Sequence, residues 1–145
     1  IYTNYVYIIL SKMLSIIIPV KNEQDAIKST IEKVVSQTRD LNYEIIIIDD
    51  FSSDKTLEII ESLAKNNSKI KFFKNINQGL GPLIDLGIEK SNGNYVAIMM
   101  ADLSDDIDDL KKYYEIISKN NYDAILGTRF SKHSTLENYP IKKLI

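Results

Sequence analysis

The chain has 145 residues, 44% of them hydrophobic and 26% charged, with a net charge of -2. That is enough for one domain with a real core, in the composition of an ordinary globular protein, and the weakly acidic balance speaks against nucleic acid as a partner. There is no cysteine and a single histidine, His133, which excludes disulfides, thiolate metal sites and a His-rich zinc site.

The chain opens on IYTNYVYIIL, which is apolar and aromatic. A bilayer-spanning helix needs about 20 residues, and a signal peptide needs a basic start and a small-residue cleavage site. Neither pattern is present. Residues 1–13 are therefore read as an N-terminal extension, with residues 1–12 upstream of a native start at Met13, or else as an added edge strand.

From there short apolar runs alternate with amphipathic ones. LSIII (14–18) predicts a strand closed by Pro19, and residues 25–38 predict a helix with Ile27, Ile31, Val34 and Val35 on one face. YEIIIID (43–49) is a continuous apolar run of the kind buried on both faces. Residues 54–66 predict a helix with Leu57, Ile60, Leu63 and Ala64 inward, and KIKFFK (69–74) a strand. Residues 80–91 predict a helix weakened by Gly81, Pro82 and Gly87. Residues 94–100 predict a strand, 106–120 a helix and 122–128 a fifth strand, before a polar tail. Strands separated by helices imply an α/β domain with a parallel sheet and right-handed crossovers.

In such a sheet ligands gather outside the carboxyl ends of the strands. Those ends read PVKNE (19–23), DDFSSD (49–54), ADLSDD (101–106) and GTRF (127–130). Three carry carboxylates and one an arginine. Carboxylates gathered at one edge repel and call for a cation, and a hard ion with oxygen ligands, Mg²⁺ or Mn²⁺, suits them. Arg129 would suit a phosphate. Some of these acids also have a purely local explanation. Ser53 or Asp54 would cap the second helix, and Ser104 the last. Asp105, Asp106, Asp108 and Asp109 would then sit where a helix dipole favours acids by about 0.3–1 kcal/mol each. Asp50 and Asp102 end apolar runs and are not explained that way.

LSIIIPVKNE, EIIIIDDFSSDKT, NQGLGPLIDLGIEKSNGNYVAIMMADLS and DAILGTRF occur in the order and at roughly the spacing of family 2 glycosyltransferases. The chain resembles that family over residues 14–132, and within it the branch of dolichol-phosphate mannosyltransferase and other polyprenyl-phosphate glycosyltransferases. The resemblance implies a three-layer αβα GT-A fold, Rossmann-like, with a mostly parallel sheet, short at its C-terminus. Residues 133–145 would begin a truncated acceptor-side region. It implies a GDP- or UDP-sugar donor and a polyprenyl-phosphate or glycan acceptor. It also implies a cytoplasmic location, with peripheral membrane contact where the acceptor is a lipid.

By position, Pro19, Lys21, Glu23, Ile48 and Asp50 resemble the segments that line base and ribose. Ala101 and Asp102 resemble the segment that meets ribose, diphosphate and metal, with Ser104 and Asp105 as further metal ligands. Asp102 and Arg129 would be the catalytic residues, stabilising the nucleoside diphosphate as it leaves. A phosphate acceptor would bring its own nucleophile, and no candidate base for a hydroxyl acceptor stands out. The chain departs from the family pattern in four places. Met100 stands where the metal triplet has its first aspartate, and Lys21 where an aromatic is frequent. Phe51 follows the acidic pair in place of a small residue, and Asp105–Ile107 replace a His-Pro-Pro-like turn. Rival readings are an inactive nucleotide-sugar-binding module and a phospho-receiver domain. The lysine a receiver needs after a later strand is missing. A dinucleotide oxidoreductase lacks its G-x-G-x-x-G.

Overall fold

Residues 14–20, LSIIIPV, are all buried, because this segment becomes the inner strand of a sheet covered on both faces. The computed structural model describes residues 12–102 and 104–127. The expected extension before Lys12, Thr128 and Arg129 of GTRF, His133 and the segment 133–145 lie outside these residues.

The described elements are β1 (Leu14–Val20), α1 (Ile27–Thr38), β2 (Tyr43–Asp49), α2 (Thr56–Asn66), β3 (Ile70–Lys74), α3 (Leu80–Lys90), β4 (Tyr95–Ile98) and α4 (Ile107–Lys119). The four strands form one parallel sheet in the order β3-β2-β1-β4. The chain steps outward from β1 to β3, then returns across the sheet to place β4 on the other side of β1. With right-handed crossovers that reversal puts α3 on the face opposite α1 and α2.

The two faces follow from the two-residue period of the strands. Ile16, Ile18 and Val20 of β1 and Ile45 and Ile47 of β2 join Ile27, Ile31 and Val34 of α1, Ile60 of α2, and Ile107 and Leu110 of α4. On the other face Ile17, Ile46 and Ile48 pack with Leu83 of α3. Seven isoleucines of β1 and β2 have no solvent exposure. Each such burial contributes roughly 1.5–3 kcal/mol, so this strand pair is the main apolar store of the domain.

Several boundaries differ from the sequence expectation. Pro19 does not end β1; it pairs opposite Ile48, and the strand runs on to Val20. The Ile17 carbonyl accepts from the Met99 amide on the β4 side. Two residues on, Pro19 aims its nitrogen the same way, past the last β4 pair, so its missing N–H removes no ladder bond. Neither Ser53 nor Ser104 caps a helix. Asp54 instead accepts from the Thr56 amide at 2.9 Å, and Asp106 caps α4 by accepting from the Asp108 amide at 3.0 Å. The expected fifth strand is absent over its described residues, 122–127, and Leu126 is 90% exposed. Among the described residues β4 is a four-residue edge strand, and no further ladder extends it.

One charged residue hides in the apolar run of β2. Glu44 is buried at the edge of the sheet away from the strand carboxyl ends. Its carboxylate accepts from Ser15 Oγ at 2.7 Å, Lys71 Nζ at 2.8 Å and the Asn92 amide at 2.7 Å. The Gly93 amide donates to Ser15 Oγ at 2.8 Å, which ties the turn before β4 to the same group. Burial pushes the Glu44 pKa up, but the bonds from Lys71, Asn92 and Ser15 outweigh it and hold it at about 2, against a usual 4.5.

A pKa lower in the folded state gives stability that is fully present above about pH 4.5 and lost as the pH falls through about 2. Glu44→Gln is expected to flatten that acid limb in thermal melts recorded across the range. Glu44→Ala should cost about 3 kcal/mol, the low end for a broken buried pair because Lys71 can reach water. On the opposite face, Gly87 is where α3 approaches β1: a Cβ there would lie 2.5 Å from Ile17 Cγ2. Gly87→Ala is expected to destabilise by about 1–3 kcal/mol in denaturant titration, although alanine is the better helix former.

Candidate functional site

The strand order reverses at β1, and in an open α/β sheet such a reversal marks a crevice outside the carboxyl ends of the strands, here β1 and β4 with β2 alongside. This is the place where an open α/β sheet binds its ligands. Two loops build its floor, residues 21–26 after β1 and 50–55 after β2, and they are clasped together. The Asn22 amide donates to Ser52 Oγ at 2.9 Å, and the Ser53 amide donates to Asn22 Oδ1 at 2.8 Å. The Glu23 amide donates to Thr56 Oγ1 at 2.8 Å. Gln24 and the 54–55 segment exchange two more bonds, Gln24 N to Asp54 Oδ2 at 3.2 Å and Lys55 N to Gln24 Oε1 at 3.1 Å. Loops that would otherwise move independently become one plate.

Asp50 is the anchor of this plate. It follows β2 directly, is 5% exposed, and accepts from Asn75 Nδ2 at 2.9 Å, the Gly79 amide at 3.3 Å and Lys21 Nζ at 3.2 Å. The Asn75 bond, helped by Lys21 and Gly79 against the opposing effect of burial, holds its carboxyl below the usual aspartate range. Gly79 has a φ of 120°, which side-chain-bearing residues rarely adopt, and this lets its amide reach Asp50 just before α3. Asp50 therefore joins the ends of β1, β2 and β3.

Across the crevice, β4 stops at Ile98. The Met100 amide donates to Asp105 Oδ2 at 2.7 Å and the Ser104 amide to Asp102 Oδ1 at 2.9 Å, so residues 100–105 curl back on themselves. Ala101 is buried, and its carbonyl accepts from Thr30 Oγ1 of α1 at 2.7 Å. Asp102 is exposed. Partial burial raises the Glu23 pKa, and the neighbouring charges of Asp102 and Asp54 raise it further. Carboxylates from three different segments thus share one electrostatic field.

Of the sequence-derived residues, Pro19 and Ile48 are paired and buried in the strands below the crevice. Lys21 and Asp50 are bonded to each other, and Glu23 feels Asp102. Asp102, Ser104 and Asp105 lie in one turn. Among the described residues no three acidic or histidine side chains converge as a metal cage. The donor chemistry still suits a hard cation, because Mg²⁺ typically takes one or two carboxylates and leaves the remaining positions to water and phosphate. A field of carboxylates that raises a neighbour's pKa is also one that a cation relieves. Arg129 lies outside the described residues.

Sequence reasoning passed over Asn75, Gly79 and Thr30. Asn75 and Gly79 were accessible to the rule already applied, since NINQG follows the third strand. Thr30 lies in mid-helix, and nothing local marks it.

No helix among the described residues is long and apolar enough to cross a membrane. The chain is 31% identical over 133 residues to a dolichol-phosphate mannosyltransferase of Pyrococcus furiosus, covering 91% of this chain and 38% of that one. It is 28% identical over 138 residues to an undecaprenyl-phosphate 4-deoxy-4-formamido-L-arabinose transferase of Photorhabdus laumondii, covering 92% and 42%. The chain thus spans about two fifths of the length of these relatives. Its fold superposes with a TM-score of 0.62 on S. aureus TarS 1–349 in complex with UDP-GlcNAc, at 22% identity over 75% of this chain and 32% of that one. It matches the mannosyltransferase PcManGT of Pyrobaculum calidifontis, in complex with GDP-Man and Mn²⁺, equally well, with a TM-score of 0.62 at 21% identity over 71% and 31%. The α/β sheet with its reversal at β1 is the GT-A fold. The model of glycosyl transferase family 2 matches residues 15–144, nearly the whole chain, and the chain belongs to that family.

Proposed function

We propose that this chain is the donor-binding part of a glycosyltransferase that moves a sugar from a nucleotide-diphosphate sugar to a polyprenyl phosphate. The observation that carries the reading is the convergence of Lys21, Glu23, Asp50 and the Ala101–Asp102 turn on one crevice at the strand-order reversal. Family membership supports it, as do relatives named for dolichol-phosphate and undecaprenyl-phosphate acceptors. Neighbours with the same fold have been solved in complex with UDP-GlcNAc and with GDP-Man and Mn²⁺.

In this reading base and ribose lie over the plate around Pro19, Lys21, Glu23, Ile48 and Asp50. The plate is rigid before the ligand arrives, so little ordering entropy is lost on binding. The Asp50–Lys21 pair presents a fixed donor and acceptor edge, while the buried Ala101 lets the turn after β4 approach the ribose closely. Asp102 would hold Mg²⁺ or Mn²⁺, with Ser104 and Asp105 nearby. Such an ion, when bound, offsets the negative charge that grows on a departing nucleoside diphosphate. Arg129 would add a fixed positive charge to the same leaving group. A phosphate acceptor supplies its own anionic nucleophile, in keeping with a site where no free base stands out. A lipid acceptor would bring the protein into peripheral contact with the membrane that carries it.

A second reading, a nucleotide-sugar-binding module without turnover, is favoured by one specific feature. Met100 stands where the metal triplet usually begins, and its amide engages Asp105 Oδ2.

Calorimetry with UDP- and GDP-sugars, with and without Mn²⁺, tests both readings. Donor binding strengthened by Mn²⁺ is expected, and Asp102→Asn should abolish the Mn²⁺-dependent gain. Binding of no nucleotide sugar refutes the donor site. A Mn²⁺ effect that survives Asp102→Asn refutes the metal assignment. Binding without transfer to a polyprenyl phosphate selects the module.

A further inference from the structure

Phe51 breaks two rules of stability at once. It adopts φ 57°, in the left-handed region where a bulky residue is strained, and its side chain is 56% exposed, so little apolar burial offsets the strain. Asn22, in the facing loop, has nearly the same φ, 56°, but asparagine tolerates that conformation.

The strain persists because both flanks of Phe51 are pinned. The Asp50 amide donates to the Val20 carbonyl at 2.8 Å, and its carboxylate holds Lys21, Asn75 and Gly79. On the other side the Ser52 amide donates to Asp49 Oδ2 at 3.2 Å, while Ser52 Oγ accepts from the Asn22 amide. A strained residue over-determined by its surroundings points to a use for the side chain. Two more large apolar residues are exposed on the segment that Asp50 holds: Ile76 at 80% and Leu80 at 52%. Apolar groups around a few fixed polar ones are the usual makeup of a small-molecule site.

We infer that Phe51 is a binding residue of the donor site, a preset aromatic platform on which the nucleobase stacks. A flat ring held in one backbone conformation suits the π-face of a base and loses little entropy on contact. Asp50, directly before it in the chain, and Lys21, bonded to Asp50, serve the polar edge. The inference rests on the donor-site reading above and deepens it.

The test compares wild type with Phe51→Gly, Phe51→Leu and Phe51→Trp. UDP and GDP affinities are measured by calorimetry, inorganic pyrophosphate by competition, and thermal stability alongside. Phe51→Gly is expected to weaken UDP or GDP about tenfold, leave pyrophosphate unchanged, and keep or raise the melting temperature because glycine relieves the strain. Phe51→Trp should retain nucleotide affinity and Phe51→Leu lose most of it. Equal nucleotide affinity in wild type and Phe51→Gly overturns the inference alone, and is what a ring serving a lipid chain would give. A parallel loss of pyrophosphate affinity, or a lower melting temperature in Phe51→Gly, overturns it in favour of a structural role. A wild type that binds neither UDP nor GDP overturns the donor-site reading together with this one.

Discussion

Strand β1 lies between two parallel neighbours and between two layers of helix, and all seven of its residues are buried. A strand buried on all sides must be apolar along its whole length, must find a pairing edge on each flank, and must hand its chain on at the sheet's carboxyl edge. The rest of the domain follows from these demands. Glycine is needed at position 87 because α3 must approach Ile17, and proline is tolerated at 19 because β4 has already ended. The crevice exists because the flanking strands reach β1 from opposite directions in sequence, which leaves their connections to diverge above it.

The two ends of the sheet use polar chemistry differently. At the far edge Glu44 is buried and saturated by Ser15, Lys71 and Asn92, an arrangement that locks the start of β4 against β1 and β2. At the carboxyl edge Asp50 is equally buried and also holds three donors, but the residue that follows it, Phe51, is exposed. The first network serves the fold. The second fixes a surface. The reciprocal bonds between the loops after β1 and β2 extend this rigidity to side chains that carry no burial of their own. Preorganisation of this kind is what a site needs if it is to spend binding energy on the ligand rather than on its own ordering.

Electrostatics separate the acids that the sequence places close together. Asp106, Asp108 and Asp109 belong to the start of α4. Asp105 closes the turn onto the Met100 amide. Asp102 remains exposed at the crevice and acts on Glu23 across it. One acidic run therefore divides into a helix cap, a turn closure and an exposed charge acting on Glu23, according to which groups lie within reach.

The amino-acid sequence by itself determined the alternation of strands and helices, since short continuous apolar runs and the 3.6-residue period of the amphipathic segments are local and strong. It also put Asp50 and Asp102 at the sheet's carboxyl edge, because an aspartate that ends an apolar run in a parallel sheet has few other places to go. Asp50 and Asp102 were legible for that reason. Only the tertiary structure decided what depends on contacts between distant segments. That Glu44 is buried within an apolar-looking strand, that Pro19 continues β1, and that residues 122–127 form no strand are all questions of which partner is present. Thr30 beneath Ala101 and Asn75 beside Asp50 are ordinary residues until folding brings them across 71 and 25 positions of sequence. The strain at Phe51 belongs to the same class. Backbone conformation at one residue is set by the hydrogen bonds on either side of it, and those come from elements that only the closed sheet brings together.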